Sequence, residues 1–327
     1  MTIQKEYLTS GDFTGTYLFG SGIPLPISGR IQALPFAHLP GVPHTFSFSF
    51  STPPNSVSAV SVYFSGRLVL QTANVFAGGY HRFNLPRRDI TLRLGDVTVA
   101  PELALGSWAG FSDDPDHAML MGDLVLKGTE LGPVLVELAR RGIAVTAIHN
   151  HLVGEEPKLV YVHVHAMGAP LEIARRLDAV LALTGTPRPV AMPPAVPLAI
   201  DTAAVFGGLG RSGRARGSVA QLSYNFVPGE VTMGGAVVPP ALGYGSPVNI
   251  QMVSTQRAVA TGDFAVPGTR VEPLLGALAR NGITATALHT HMIGESPAIY
   301  FIHFWADGPL ADVVRGLKAA VDAAHEP

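Results

Sequence analysis

The 327-residue chain contains no cysteine, which excludes disulfides, thiolate metal sites and cysteine nucleophiles. Charge is scarce too: 14% of residues are charged and the formal net charge is −2. A chain this close to neutral has no electrostatic attraction for nucleic acid or an anionic membrane surface, and neither is expected as a partner. No apolar run reaches the roughly 18 residues that suggest a membrane-spanning helix. The segment Met1–Phe13 lacks a basic stretch followed by an apolar one, so no signal peptide is predicted and the expected location is the cytoplasm. What is abundant is apolar surface, 47% of residues. With so little charge beside it, this fits large buried sheets or a subunit interface, which is the ground for expecting a homo-oligomer.

An internal repeat organises the chain. Ala118–Leu126 (AMLMGDLVL) matches Ala258–Val266 (AVATGDFAV), Pro133–His151 matches Pro273–His291, and Gly154–Ala166 matches Gly294–Ala306, all at one offset of 140 residues. Each copy reads as a strand, a helix, two strands joined by a Gly- and Pro-containing turn, and a second amphipathic helix. The first helix is predicted over Thr129–Arg141 and Val271–Asn281, with Pro133 and Pro273 near its start and Gly142 and Gly282 ending it. The order β-α-β-β-α is that of a ferredoxin-like unit, so the expected fold is α+β: two tandem ferredoxin-like repeats with antiparallel sheets. The expected divisions are an N-terminal segment 1–64 of unassigned role, a first repeat 65–186, a Pro-rich linker 187–199 and a second repeat 200–327. His44–Ser51 alternates with period two and is expected to hold a strand.

The candidate chemistry sits on the hairpins. Residues two apart on a strand share a face, so His149 projects with His151 and His289 with His291. On the return strands, Tyr161, His163 and His165 share one face, as do Phe301, His303 and Trp305; Val160, Val162 and Val164 form the opposite face, a floor for the helices. The turn residues Glu155 and Glu295 follow four positions after the second histidine and can fold back. Three imidazoles and a carboxylate suit a divalent transition metal such as Fe, Cu or Zn, and not Ca or Mg. The expected ligands are His149, His151, Glu155, His163 and His165 in the first repeat, and His289, His291, Glu295 and His303 in the second. Asp123 and Asp263, in a recurring Gly-Asp pair, are expected to orient a histidine or to cap the following helix. Tyr161 and Trp305 are expected to line the pocket, though an aromatic residue on a strand usually only packs. The competing view is a pair of buried polar clusters that fix hairpin register without any metal.

Weaker signals read as surface. Gly207–Gly217 is glycine-rich and basic, but lacks the Lys and Ser/Thr of a phosphate loop, so a solvated loop is expected. Arg87-Arg88-Asp89 reads as a surface turn, and Glu130 as an unpartnered residue at a helix start.

The paired runs GDLVLKGTELGPVLVELARRGIAVTAIHNHLVGEEPKLVYVHVHA and GDFAVPGTRVEPLLGALARNGITATALHTHMIGESPAIYFIHFWADG resemble the LppY/LpqO family, a bacterial domain of unknown function often found in two tandem copies. The likeness covers about residues 65–327 and implies a two-repeat architecture without supplying a reaction. Members of that family can be exported lipoproteins; this chain has no lipobox cysteine. The polar-and-aromatic faces would be costly to expose, so the two sheets are expected to pack face to face or to close into a barrel-like unit. The resulting expectation is a metal-dependent enzyme, oxidoreductase- or oxygenase-like, acting on a small-molecule substrate. The alternative is a non-catalytic module that binds a metal or small ligand.

Overall fold

The computed structural model describes residues 69–77, 80–114, 116–190 and 196–325, together with the backbone of three strands nearer the N-terminus. Most of segment 1–64, and residues 191–195 of the expected linker, lie outside the described residues. The chain divides into two compact units, Met1–Ser61 and Val62–Pro327. In the first, β1 (Gly11–Leu18), β2 (Pro24–Gln32) and β3 (Ser47–Phe50) form an antiparallel sheet in that order, and β3 falls inside the alternating stretch at His44–Ser51.

The second unit is mixed α/β with two similar antiparallel halves. The first half runs β4 (Asn74–Ala77), β5 (Tyr80–Pro86), β6 (Leu92–Leu94), β7 (Val97–Val99), α1 (Pro101–Ala104), β8 (Gly106–Ser112), β9 (Ala118–Lys127), α2 (Gly128–Arg140), β10 (Ala144–His149), β11 (Glu155–Glu156), β12 (Leu159–Gly168) and α3 (Pro170–Leu181). After α4 (Thr202–Leu209) the second half runs β13 (Arg214–Arg216), β14 (Val219–Tyr224), β15 (Thr232–Met233), β16 (Ala236–Val237), α5 (Pro240–Gly243), β17 (Ser246–Met252), β18 (Arg257–Pro267), α6 (Val271–Arg280), β19 (Thr284–His289), β20 (Glu295–Ser296), β21 (Ile299–Pro309) and α7 (Leu310–Ala324). The six-stranded sheets are ordered β10-β12-β9-β8-β5-β4 and β19-β21-β18-β17-β14-β13, one pattern used twice. Each sheet therefore extends past the predicted β-α-β-β-α run, because strands preceding that run pair along the free side of β9 and β18. Among the described residues no helix is long and apolar enough to cross a membrane.

Alternation on the strands decides what faces what. Leu120, Leu124 and Leu126 of β9 and Val162 and Val164 of β12 meet Val134 and Leu138 of α2 and Ile173 and Leu177 of α3 in one apolar core. The second half builds the same core from Phe264, Ile302, Phe304, Leu274, Leu278 and Leu317. Each such side chain contributes about 1.5–3 kcal/mol by leaving water. The other faces are buried as well. Met119 and Met121 of β9 pack with Leu242, Tyr244, Ala265 and Phe301 of the second half, and Val259 of β18 packs with Val97, Leu103 and Tyr161 of the first. Strands buried on both faces carry apolar residues at nearly every position, as β9 does. The halves thus pack through the sheet faces that carry the histidines.

Local details depart from the sequence expectations in three places. Pro133 lies inside α2 rather than in its first turn; in the second half the same stretch splits into a 3-10 turn, Gly268–Arg270, ahead of α6, which leaves Pro273 near the start of the helix. The stretch at Gly207–Gly217 is not one loop: it contains the end of α4, whose Asp201 cap accepts the Ala204 N–H at 2.9 Å, and all of β13. Arg87 is not a surface residue. It is fully buried, donates to both oxygens of Glu130 and of Asp89 and to the Val125 carbonyl oxygen, and so joins the β5–β6 turn to α2. Glu130 also accepts the Gly185 N–H at 2.8 Å. Sequence pattern missed this network because position 270, its counterpart in the repeat, is Arg.

Candidate metal centre

His149 ends β10, and His151 follows in the turn; His163 lies on β12 opposite Asp123 of β9. His289, His291, His303 and Asp263 repeat this placement. A register shift between Val145 and Ala147, matched between Ala285 and Ala287, sets Ala147 rather than His149 directly across from His163, so the two imidazoles meet diagonally with centroids 4.9 Å apart.

The sequence assigned these residues to one site per repeat. The structure brings all six imidazoles together between the halves. Rings stack across the junction in three pairs: His149 on His289 at 3.9 Å, His151 on His303 at 3.9 Å and His163 on His291 at 3.7 Å. Position 149 meets its own repeat partner, while 151 meets the partner of 163 and 163 the partner of 151. That reciprocity is the signature of an approximate twofold relation. Side chains clasp the backbone across the junction: the Asn150 side-chain amide donates to the Thr286 carbonyl oxygen at 3.1 Å, and the Thr286 hydroxyl donates to that of His151 at 2.6 Å.

Each of the six Nε2 atoms is buried and has no hydrogen-bond partner among the described residues. Such orphaned atoms cost on the order of 1–3 kcal/mol apiece, so this arrangement calls for something that uses lone pairs. Where Nδ1 has a partner, it is a carbonyl oxygen: Asn150 for His149 at 3.4 Å, Thr290 for His289 at 3.2 Å and Gly262 for His303 at 3.0 Å. A proton held on Nδ1 leaves Nε2 as an acceptor, the tautomer a metal needs. The ligating atoms of His149, His289, His291 and His303 all lie within 4.8 Å of one another. Burial, reinforced by neighbouring imidazoles, pushes the His149 pKa down to about 3, and burial pushes that of His289 to about 4. The same causes, burial first, hold His151, His163, His291 and His303 well below the ordinary value. The rings are therefore neutral at physiological pH.

The aspartates flank the cluster. Asp123 Oδ2 lies 3.8 Å from His151 Nε2, and Asp263 Oδ2 lies 3.4 Å from His291 Nε2. Burial raises the Asp123 pKa to about 7, opposed by the charge of Arg82, and raises that of Asp263 well above the carboxylate range, with help from Asp123. Tyr161 stacks on His151 at 3.5 Å and anchors its hydroxyl on the Ala104 carbonyl oxygen; Phe301 stacks on His291 at 3.6 Å. The sequence placed Phe301 on the histidine face with His303 but did not count it among the pocket residues, although it aligns with Tyr161.

Four other predicted residues take different places. Glu155 and Glu295 each accept the N–H four residues on, of Leu159 and Ile299, at 3.2 Å, so one oxygen of each clasps its own turn. The second oxygen of Glu155 is buried without a partner. His165 stays out of the stacked rings and donates from Nδ1 to the Leu120 carbonyl oxygen at 3.1 Å. Trp305 packs on the apolar cluster that includes Leu92, Val97, Val99, Val259 and Tyr161.

Both halves match the family described as Domain of Unknown Function (DUF1259), over residues 67–183 and 203–323. The chain belongs to the DUF1259 family. It carries two copies of that domain, and the histidine cluster forms where the copies meet. No protein of curated function matches the chain.

Proposed function

We propose that this DUF1259 chain is a metal-dependent enzyme whose divalent transition metal, Fe, Cu or Zn, is held by histidines of both repeats. One observation carries the reading: six buried Nε2 atoms without partners converge at the inter-repeat junction, four of them from imidazoles whose ligating atoms lie within 4.8 Å of one another. An all-imidazole set with nearby carboxylates and no sulfur suits these metals. When bound, the metal would supply Lewis acidity or an oxygen-activating redox centre for a small-molecule substrate. The protein's own part is to hold His149, His289 and His303 by their Nδ1 protons, to exclude water with Tyr161 and Phe301, and to offer Asp123 and Asp263, which give up their protons beside a dication, as compensating charge. The likeness to LppY/LpqO proteins and the ferredoxin-like description of each repeat belong to this proposal as well.

A second reading has an observation of its own. Four imidazoles are enough to close a tetrahedral shell, and a closed shell stores or senses a metal rather than catalysing. Elemental analysis of protein purified without chelator tests the first claim: wild type should carry metal, and H149A/H289A should lose at least nine-tenths of it. Unchanged metal content in that variant would sink the metal reading. Azide added to the cobalt-loaded protein separates enzyme from storage module, because only an open position lets it shift the visible spectrum.

A further inference from the structure

The group of four histidines is lopsided. It takes one member from the first repeat, His149, and three from the second, His289, His291 and His303. A site on the twofold axis would draw equally on both halves. A site off the axis has an image, and the image of this set is His289 with His149, His151 and His163. The two sets share only the central stacked pair, His149 and His289. We infer that the junction is a two-ion centre, each ion held by the histidine triad of one repeat and bordered by the central histidine of the other. This inference rests on the metal reading above.

Three observations support it. His151 and His163, which the first set leaves out, have buried Nε2 atoms with no partner. An ion bound only by the set of four would leave both orphaned, at a cost of about 1–3 kcal/mol each. Second, a carboxylate stands beside each triad: Asp123 is 3.8 Å from His151 Nε2, and Asp263 is 3.4 Å from His291 Nε2 and 3.8 Å from His303 Nδ1. Asp123 and Asp263 each have one buried oxygen, Oδ1, without a hydrogen bond. A histidine triad with one carboxylate per ion suits Fe, Cu or Zn, and each ion has a carboxylate of its own to offset part of its charge. Third, a single ion taking all six imidazoles would have no open position, and would leave both aspartate oxygens unused.

The test is stoichiometry on the full chain. Protein stripped with chelator is titrated with zinc, passed through a desalting column and assayed for bound metal; the titration is repeated with cobalt, whose paired ions give a spin-coupled signal. Wild type should retain two zinc ions per chain. H151Q/H163Q and H291Q/H303Q should each retain one and lose the coupled cobalt signal. Circular dichroism of the zinc-loaded variants checks that they fold, and D123N, which keeps the side-chain shape, should weaken one of the two equivalents at least tenfold. Saturation of wild type at one ion, lost in either double variant, overturns the two-ion centre and leaves the metal reading standing. No bound zinc in wild type overturns both.

Discussion

His163 and His303 stand at one register on β12 and β21, each opposite an aspartate, and each ring stacks across the junction on a histidine of the other half. Two residues further along the same strands, His165 bonds to a neighbouring carbonyl while Trp305 packs into an apolar cluster. Further across the sheets the contrast continues. Gln221, Asn249 and Gln251 of the second half grip the first half's Thr98–Leu103 turn through four hydrogen bonds of 2.7–3.0 Å. At the equivalent place in the first half, Gly110 lies so close to Leu242 that an added Cβ would meet its Cδ1 at 2.5 Å. Residues that both copies contribute to one object have stayed alike. Residues that face only the other copy's turn have diverged, because each needs to fit just one surface.

Acid should test the shared part hardest. Below about 6.5, the ordinary histidine pKa, the six depressed imidazoles take up protons when unfolded and not when folded, so the metal-free protein loses stability as pH falls. Asp123, with its pKa near 7, and Asp263 work the other way, since they keep protons only in the folded state. Six groups outweigh two. The melting temperature of chelator-treated protein should therefore drop steeply between about pH 6.5 and about pH 4. H149Q and H289Q should each flatten that slope to a similar degree. A flat profile, or a slope that only one of the two variants changes, breaks the picture of an equal centre.

Arg87 and Arg270 sharpen the unequal part. Arg87→Met leaves Glu130 and Asp89 without their buried cation and should cost about 3–5 kcal/mol in denaturant unfolding. Arg270, which among the described residues donates to the Ala323 carbonyl oxygen, should cost about 1 kcal/mol when replaced by Met. Equal costs would mean that the Arg87 network contributes no more than a helix-end contact. An effect close to that of Arg270 is expected from the turn clasp: Gln251→Ala removes two hydrogen bonds, to Ala100 and Thr98, and should lower stability by about 1–2 kcal/mol with metal content unchanged. A fall in bound metal would show that the clasp also sets the histidine positions.

Much of this was legible in the sequence where a local pattern carried it. The valine face of β12, the glycines with positive φ at 142 and 282, and the histidine spacing all follow from alternation and turn chemistry along one copy. The meeting of the copies was not legible residue by residue, since nothing in a single strand states what its outer face will touch. Face-to-face packing was expected from the aromatic residues on the histidine faces, and a further hint was that β9 reads apolar on both faces, with Met119 and Met121 where a solvated sheet would place polar groups. Glu155 answers to two causes: a carboxylate four residues past a histidine fits a metal set, and the same spacing lets one oxygen clasp the turn while the other stays buried without a partner among the described residues. The Gly-Asp pair had a second cause as well: a Cβ on Gly122 or Gly262 would strike the backbone of the neighbouring strand, at Trp108 O (2.7 Å) or Pro247 O (2.1 Å).

The reciprocal stacking of His149 on His289 has a consequence for how such a chain can change. Two separate copies of one domain would build this junction only by finding each other in solution, at a rate set by their concentration, and every substitution would appear in both at once. Joined end to end, the copies meet at a fixed effective concentration, and each is free to vary its rim alone. One polypeptide can then keep an even centre while giving its two approaches different shapes.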